Sequence, residues 1–373
     1  MYWRLILLSL AIIGLTLHPR PTQGQGADGS FYTGADLSYL NEMEDCGAVY
    51  QEGGRPQDIY GLFAGYGATL VRTRLWHTPT WTDYSTLDDV IRTFSRARDA
   101  GMATLLAIHY SDTWADPSHQ TIPAAWEDID EGPDLEAAVY QYTYDVMIAL
   151  HAEGLAPAFV QIGNEINSGL IKRDDTIGLE WGRDSRLILA GIQAVRDFGQ
   201  ATDSTPQIVL HIAQPENAMG WLIDGEAHGI TDFDVIGLSY YPQWSPYTID
   251  EVGQQVDMLR QHFGKEVMIV ETAYPWTNDY ADSANNILSQ ELAGYPVSIE
   301  GQRQFMLDLT QTLINHQALG VVYWEPAWVS TGCSTPWGRG SHWENATFFD
   351  FQHDNELLPV IDFLALRPSA TEE

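Results

Sequence analysis

Residues 159–167 read Phe-Val-Gln-Ile-Gly-Asn-Glu-Ile-Asn. The apolar side chains of Phe159, Val160 and Ile162 make a short run of the kind that buried strands carry, and Gly163 breaks it. Asn164 and Glu165 follow where a strand would end. A carboxylate is costly to bury unless it is paired or reactive. Glu165 is therefore either half of a salt bridge or a chemical group.

Further β-rich runs lie on both sides of this one. Strands are predicted at 32–36, 69–75, 103–109, 157–163, 207–212, 234–240, 266–271 and 320–325. Helical periodicity marks 86–100 (Ser85 as cap, Gly101 as stop), 135–153, 249–263 (Thr248 as cap, Gly264 as stop) and 301–316. Strands alternating with helices imply parallel pairing through right-handed crossovers. Eight such units are what a closed (β/α)8 TIM barrel requires. An open doubly wound sheet is the alternative, but Thr33-Gly34-Ala35-Asp36 after the first run is no phosphate-binding turn. The expected fold is one α/β barrel over residues 27–373.

Residues 1–26 read as a secretory signal and flexible lead: Arg4, then an apolar run over 5–17, then a segment rich in Gly, Gln and Pro. No later stretch is apolar enough to span a membrane, so a secreted protein is expected, extracellular or periplasmic. Net charge is −33, from 51 acidic against 18 basic residues. Such a surface repels nucleic acid and anionic membranes, which excludes both as partners. It provides solubility, and adaptation to high salt is a second reading.

In a barrel, sites form at the C-terminal strand ends. Those ends carry Asp36; Arg72 and Arg74; His109, Ser111 and Asp112; Asn164 and Glu165; His211; Ser239, Tyr240 and Tyr241; Glu271; and Trp324, Glu325 and Trp328. Arg72 and Arg74 share one side of their strand while Val71, Thr73 and Leu75 take the other, so both guanidiniums face the barrel interior and need carboxylate partners. A salt-bridge layer without chemistry is the bland alternative. Two carboxylates on the fourth and seventh strands suit glycoside hydrolysis, one protonating the leaving oxygen and the other attacking the anomeric carbon. Trp76, Trp81, Trp114, Trp324 and Trp328 offer flat faces for sugar rings. No His/Cys/Glu set has catalytic zinc spacing.

At these positions the chain resembles glycoside hydrolase family 53, the endo-β-1,4-galactanases. The resemblance runs from about Gly34 to Leu364. It is carried by GADLSYL at Gly34, VRTRLW at Val71, HYSDTWADP at His109 with Gln120 and Pro123, IGNEI at Ile162, SYYP at Ser239, VETAYPW at Val270 and YWEPAW at Tyr323. IGNEI marks only the wider clan; HYSDTWADP with YWEPAW is specific. The resemblance implies a retaining endo-hydrolase that cleaves β-1,4-galactan or arabinogalactan by double displacement, with no cofactor needed for catalysis. Glu165 would be the acid/base and Glu271 the nucleophile, a role for which the residues alone leave Glu325 open. Arg72 or Arg74, with Tyr240, would keep Glu271 ionised. Asn164 would bond the 2-hydroxyl, and Asp112, Trp114 and Trp328 would contact galactose. Asp36, His109, His211 and Trp324 complete the expected lining. The rival enzyme is a clan member acting on mannan or glucan; the rival of another class is a silent carbohydrate-binding barrel.

Relatives of that family with a structural calcium after the seventh strand imply ligands in TNDYADSANN, namely Asp279, Asp282, Asn285 and Asn286. Cys46 follows the first strand and Cys333 the eighth, neighbours where a barrel closes, so a disulfide between them is expected over two buried thiols. The protein is expected to be a monomer.

Overall fold

The computed structural model describes residues 31–335 and 338–369; the expected signal and lead at 1–26 lie outside them. Eight parallel strands close on themselves: β1 (Tyr32–Asp36), β2 (Leu70–Leu75), β3 (Ala103–Ile108), β4 (Phe159–Ile162), β5 (Gln207–Ala213), β6 (Val235–Tyr240), β7 (Glu266–Thr272) and β8 (Gly320–Tyr323). Closure is made by β1, which pairs β8 on one edge (Tyr32 with Gly320) and β2 on the other (Gly34 with Leu70). Helices α1 (Leu40–Asp45), α2 (Ile59–Gly65), α3 (Leu87–Asp99), α4 (Pro133–Ala152), α5 (Trp181–Thr202), α6 (Pro215–Ala227), α7 (Ile249–Phe263) and α8 (Ile299–Asn315) occupy the connections.

The two-residue strand period divides the core in two. Tyr32, Leu70, Leu105, Phe159, Val209, Val235, Met268 and Val322 form an apolar plug inside the barrel. Their neighbours Val71, Leu106, Val160, Leu210, Ile236, Ile269 and Val321 pack outward in the larger cluster shared with the helices. Two residues further along, the inward positions turn polar: Arg72, Gln161 and His211 sit above Leu70, Phe159 and Val209. The apolar plug therefore forms the floor of the site.

One strand departs from strict alternation. Between β6 and β7 the register passes from Leu238–Ile269 directly to Ser239–Glu271, and between β8 and β7 from Val321–Ile269 to Tyr323–Thr272. This bulge at Val270–Glu271 adds one residue to β7. Val270 belongs to the inner plug, so without the bulge Glu271 would point at the helices.

Helix boundaries differ from expectation at their ends. α3 is capped by Thr86, whose hydroxyl accepts from Asp89 N, and not by Ser85. Ser85 has φ 54° and its hydroxyl is taken by Arg74 Nε at 2.8 Å. α4 starts at Pro133 and α8 at Ile299, capped by Ser298. Thr248 and Glu251 form a complete capping box on α7. Short strands at 51–52, 55–56, 349–350 and 356–357, not expected from sequence, tie the segment after β1 to the chain's last described part.

Cys46 and Cys333 are joined in a disulfide with Cα atoms 5.9 Å apart. It links the end of α1 to the loop after β8 across 287 residues. Closing so long a loop restricts the unfolded chain strongly. Replacing both cysteines by serine is expected to lower the unfolding free energy by about 2–5 kcal/mol, read from denaturant melts; an unchanged midpoint would show that the bridge contributes nothing.

Candidate active site

Arg72 occupies the middle of the C-terminal face of the barrel. Its Nη1 lies 2.6 Å from Asp36 Oδ2, and its Nη2 lies 2.8 Å from both Glu271 Oε1 and Asn164 Oδ1. Its Nε donates to Gln161 Oε1 at 3.3 Å. One guanidinium thus connects strands β1, β4 and β7 and fixes the orientation of three of the expected site residues, Asp36, Asn164 and Glu271. Tyr241 adds a hydroxyl 3.1 Å from Glu271 Oε2, so each oxygen of Glu271 has its own donor.

Glu165 is held differently. Gly163 has φ +74°, and a Cβ there would come within 2.5 Å of Ile166 Cγ2. Glu165 itself takes the left-handed conformation at φ 47°, which turns its carboxyl back over the barrel. Gln120 Nε2 donates to the Asn164 carbonyl at 2.8 Å and steadies this turn. Ser239 Oγ lies 2.5 Å from Glu165 Oε1, and His211 Nε2 lies 2.8 Å behind Ser239. Among the described residues no cation pairs with Glu165.

These partners separate the two carboxyls electrostatically. Burial, then the nearby Glu271 charge, push Glu165 up to about 8. Glu271 is raised as well, by burial and by the Asp36 charge, although Arg72 and Tyr241 oppose the rise. Glu165 is thus the member of the pair that keeps a proton. His109 and His211 are buried and held far below the usual imidazole range, beside positive Arg72, so both are neutral.

Glu325 lies outside this pair. It is fully buried, Oε1 bonded to Arg74 Nη1 at 2.7 Å and Oε2 accepting Tyr39 N at 3.1 Å. Arg74 is boxed by the rings of Tyr39, Trp114 and Trp76 at 4.1, 4.5 and 4.9 Å. Tyr39 in turn stacks on Trp328 at 4.0 Å.

The other expected residues occupy the same end in varied roles. Asp36 accepts from Ser38 as well as Arg72. His109 Nδ1 accepts Ala115 N at 3.2 Å, propping the Trp114 loop. Asp112 accepts Thr78 N and Ala124 N, both at 2.8 Å, tying two loops together. Trp114 is half-buried against Trp324, centroids 5.5 Å apart. His211 is fully buried behind Asn164 and Ser239, and so supports the site instead of lining it.

Tyr240 needs correction. It is completely buried, with its hydroxyl on Tyr247 O at 2.8 Å and its ring against Phe305, outside the barrel. The tyrosine that meets Glu271 is Tyr241. Alternation along β6 gives this away: Ser239 faces in, so Tyr240 faces out and Tyr241 faces in again.

The expected calcium ligands are brought together only in part. Asp282 accepts Ala284 N at 2.6 Å, Ser330 Oγ at 2.5 Å and Ser341 N at 2.9 Å, and it lies against Glu344. Burial, with Asp282 adding its charge, lifts Glu344 to about 7. Glu344 Oε2 and Asn286 Oδ1 are buried without a donor. Asp279 turns away to Gln352, and Asn285 offers its carbonyl to His342. Among the described residues no three His, Cys, Asp or Glu side chains are arranged to hold a metal ion.

The family model for glycosyl hydrolase family 53 matches residues 32–364. An arabinogalactan endo-beta-1,4-galactanase of Cellvibrio japonicus is 48% identical over 359 residues, covering 95% of this chain and 96% of that protein. The Ignisphaera aggregans GH53 catalytic domain superposes with a TM-score of 0.81 at 32% identity, covering 90% of this chain and 95% of that one. A solved fungal beta-1,4-galactanase gives 0.77 at 28% identity, covering 90% and 99%.

The charge coupling between the two glutamates is directly measurable. Glu271→Gln removes the charge that helps to raise Glu165, so the Glu165 titration followed by carboxyl NMR is expected to move down from about 8. A midpoint that stays in place would show that burial alone raises it.

Proposed function

The chain belongs to glycosyl hydrolase family 53, and from that premise we propose that it is a retaining, endo-acting β-1,4-galactanase working on galactan or arabinogalactan. One observation carries the mechanism: two glutamates at the ends of β4 and β7, Glu271 buried and bonded to a cation and a phenol, Glu165 half-buried and bonded to a serine. The polysaccharide is taken from what the similar enzymes are named for.

Glu271 attacks the anomeric carbon while Glu165 gives its proton to the departing oxygen. The carbon–oxygen bond to the leaving sugar breaks as the ester to Glu271 forms. Esterification removes the negative charge of Glu271, and with it one cause of the raised Glu165 value. Glu165 then accepts a proton from water, whose oxygen attacks the anomeric carbon and frees Glu271 as a carboxylate. Ser239 donates to ionised Glu165 at this stage, backed by His211. Asn164, anchored by Arg72 and Gln161, presents its amide to the 2-hydroxyl. Glu325, with both oxygens occupied and no exposure, supports Glu271 as nucleophile by elimination.

Calcium is part of the proposal as a structural ion only. Asp282, Glu344 and Asn286 would hold it, in place of the set with Asp279 and Asn285, because two facing carboxylates and an unpaired amide oxygen want a cation. The ion would link the loops after β7 and β8. Export through residues 1–26 is likewise proposed. Among the described residues no helix is long and apolar enough to cross a membrane.

Hydrolysis of linear β-1,4-galactan, with mannan and glucan as controls, tests the activity; a preference for either control overturns the substrate. Glu271→Ala is expected to lower kcat at least 10³-fold with galactan binding kept, and retained turnover would sink the assignment. The sign of the pH dependence follows from Glu165: kcat/KM is expected to fall as pH rises through about 8, because the free enzyme then lacks its acid. Calcium added to chelator-treated protein is expected to raise Tm; a flat titration removes the ion from the proposal.

A further inference from the structure

His211 is buried between an amide and a hydroxyl. Asn164 Oδ1 lies 3.0 Å from its Nδ1, and Ser239 Oγ lies 2.8 Å from its Nε2. The Asn164 amide is not free to turn. Its Nδ2 donates to Ala115 O at 2.8 Å, and its Oδ1 accepts from Arg72 Nη2 and Gln161 Nε2 at 2.8 and 2.9 Å. Gln161 is oriented in the same way, because its Oε1 accepts from Arg72 Nε. The atom facing Nδ1 is therefore a carbonyl oxygen, which can only accept. Nδ1 carries the proton. The backbone N–H of Glu165 also points at Nδ1, but from 3.4 Å, outside the usual range for such a bond.

That proton sets the direction of every bond that follows. Neither ring nitrogen has a carboxylate partner among the described residues. Burial and the Arg72 charge hold the ring neutral. A neutral imidazole with its proton on Nδ1 has a bare lone pair at Nε2. The Ser239 hydroxyl must donate to it. A hydroxyl has one proton, so toward Glu165 Oε1, 2.5 Å away, the serine oxygen can only accept. The donor in that contact is the carboxylic acid. The bonds run one way, from Glu165 through Ser239 and His211 to Asn164.

We propose that His211 is a positioning residue acting through Ser239: by taking the serine proton it leaves an acceptor facing Glu165, and so holds that carboxyl in its acid form. The use of the acid in catalysis rests on the hydrolase reading above. Around Glu165 stand Glu271 and Asp116, whose charges favour the same proton, and Arg72, which opposes it. The neutral Tyr241 phenol lies beside both glutamates, and Arg72 and neutral His109 face His211. When the leaving oxygen takes the proton, the Ser239 hydroxyl turns to the new carboxylate and Nε2 is left without a donor. That loss makes ionised Glu165 a stronger base for the water step.

The tautomer is read by nitrogen NMR of protein carrying isotope-labelled histidine, the His211 signals being assigned by their loss in His211→Gln. A proton on Nδ1 and a bare Nε2 are expected; a proton on Nε2 overturns the proposal. A second measurement fixes the direction of the serine bond. Ser239→Ala removes an acceptor from the protonated acid, so the Glu165 midpoint in carboxyl NMR is expected to fall by about one pH unit, and the basic limb of kcat/KM to fall with it. A serine that donates to the carboxylate gives the opposite sign, so an unchanged or higher midpoint overturns the proposal. Both NMR readings are made without substrate. Should the parent protein cleave no β-1,4-glycan, the hydrolase reading fails, and the direction of the bonds is still decided.

Discussion

Everything at the open end of the barrel depends on a buried guanidinium. Arg72 is 1% exposed and has Asp36 and Glu271 as ionic partners, with Asn164 and Gln161 as neutral ones. A charge so buried persists only if its hydrogens are satisfied, and here nearly every partner comes from a different strand. Stabilising the ion and aligning the site are therefore one requirement. The orientations of Glu271 and Asn164 follow from it, and the asymmetry between Glu271 and Glu165 follows in turn, since Glu165 has only a hydroxyl where Glu271 has a cation.

Arg74, two residues on, solves the same burial problem without a place in the proposed chemistry. Its carboxylate partner Glu325 is sealed, and three aromatic rings take its faces. The pair orients Tyr39, which carries Trp328, and sets Trp114 beside it. Two inward arginines on one strand thus divide the site into a reacting half and an aromatic half. The disulfide from Cys46 to Cys333 ties down the loops that border the aromatic half.

Much of this was legible in the residues. The alternation Leu70–Arg72–Arg74 against Val71–Thr73–Leu75 placed both arginines inside, and the strand–helix alternation named the barrel. The same rule, applied along β6, would have chosen Tyr241 over Tyr240. Ser85 looked like a helix cap because its local sequence suits one, but a long-range bond to Arg74 claims its hydroxyl. His211 looked like lining because it ends a strand, yet its depth depends on how far β5 reaches beneath Ser239. Helices α1, α2, α5 and α6 and the two-residue strands were not delimited; two local hairpins, 51–52 with 55–56 and 349–350 with 356–357, are joined into one sheet by a pairing of Gln51 with Glu356, which no local pattern encodes.

The chain's own pattern determined the fold, the polar strand ends and the two glutamates, because strand period, helix period and the cost of buried charge act locally. Tertiary structure decided which way the groups face. Met268 and Val270 both line the barrel floor, so alternation alone sends Glu271 outward among the helices. The bulge that returns it to the interior is a register shift against β6 and β8, and register is a property of neighbouring strands. Glu165 reaches the site through a left-handed turn that its own residue type does not favour, steadied by Gln120 from another loop. A single strand cannot specify either.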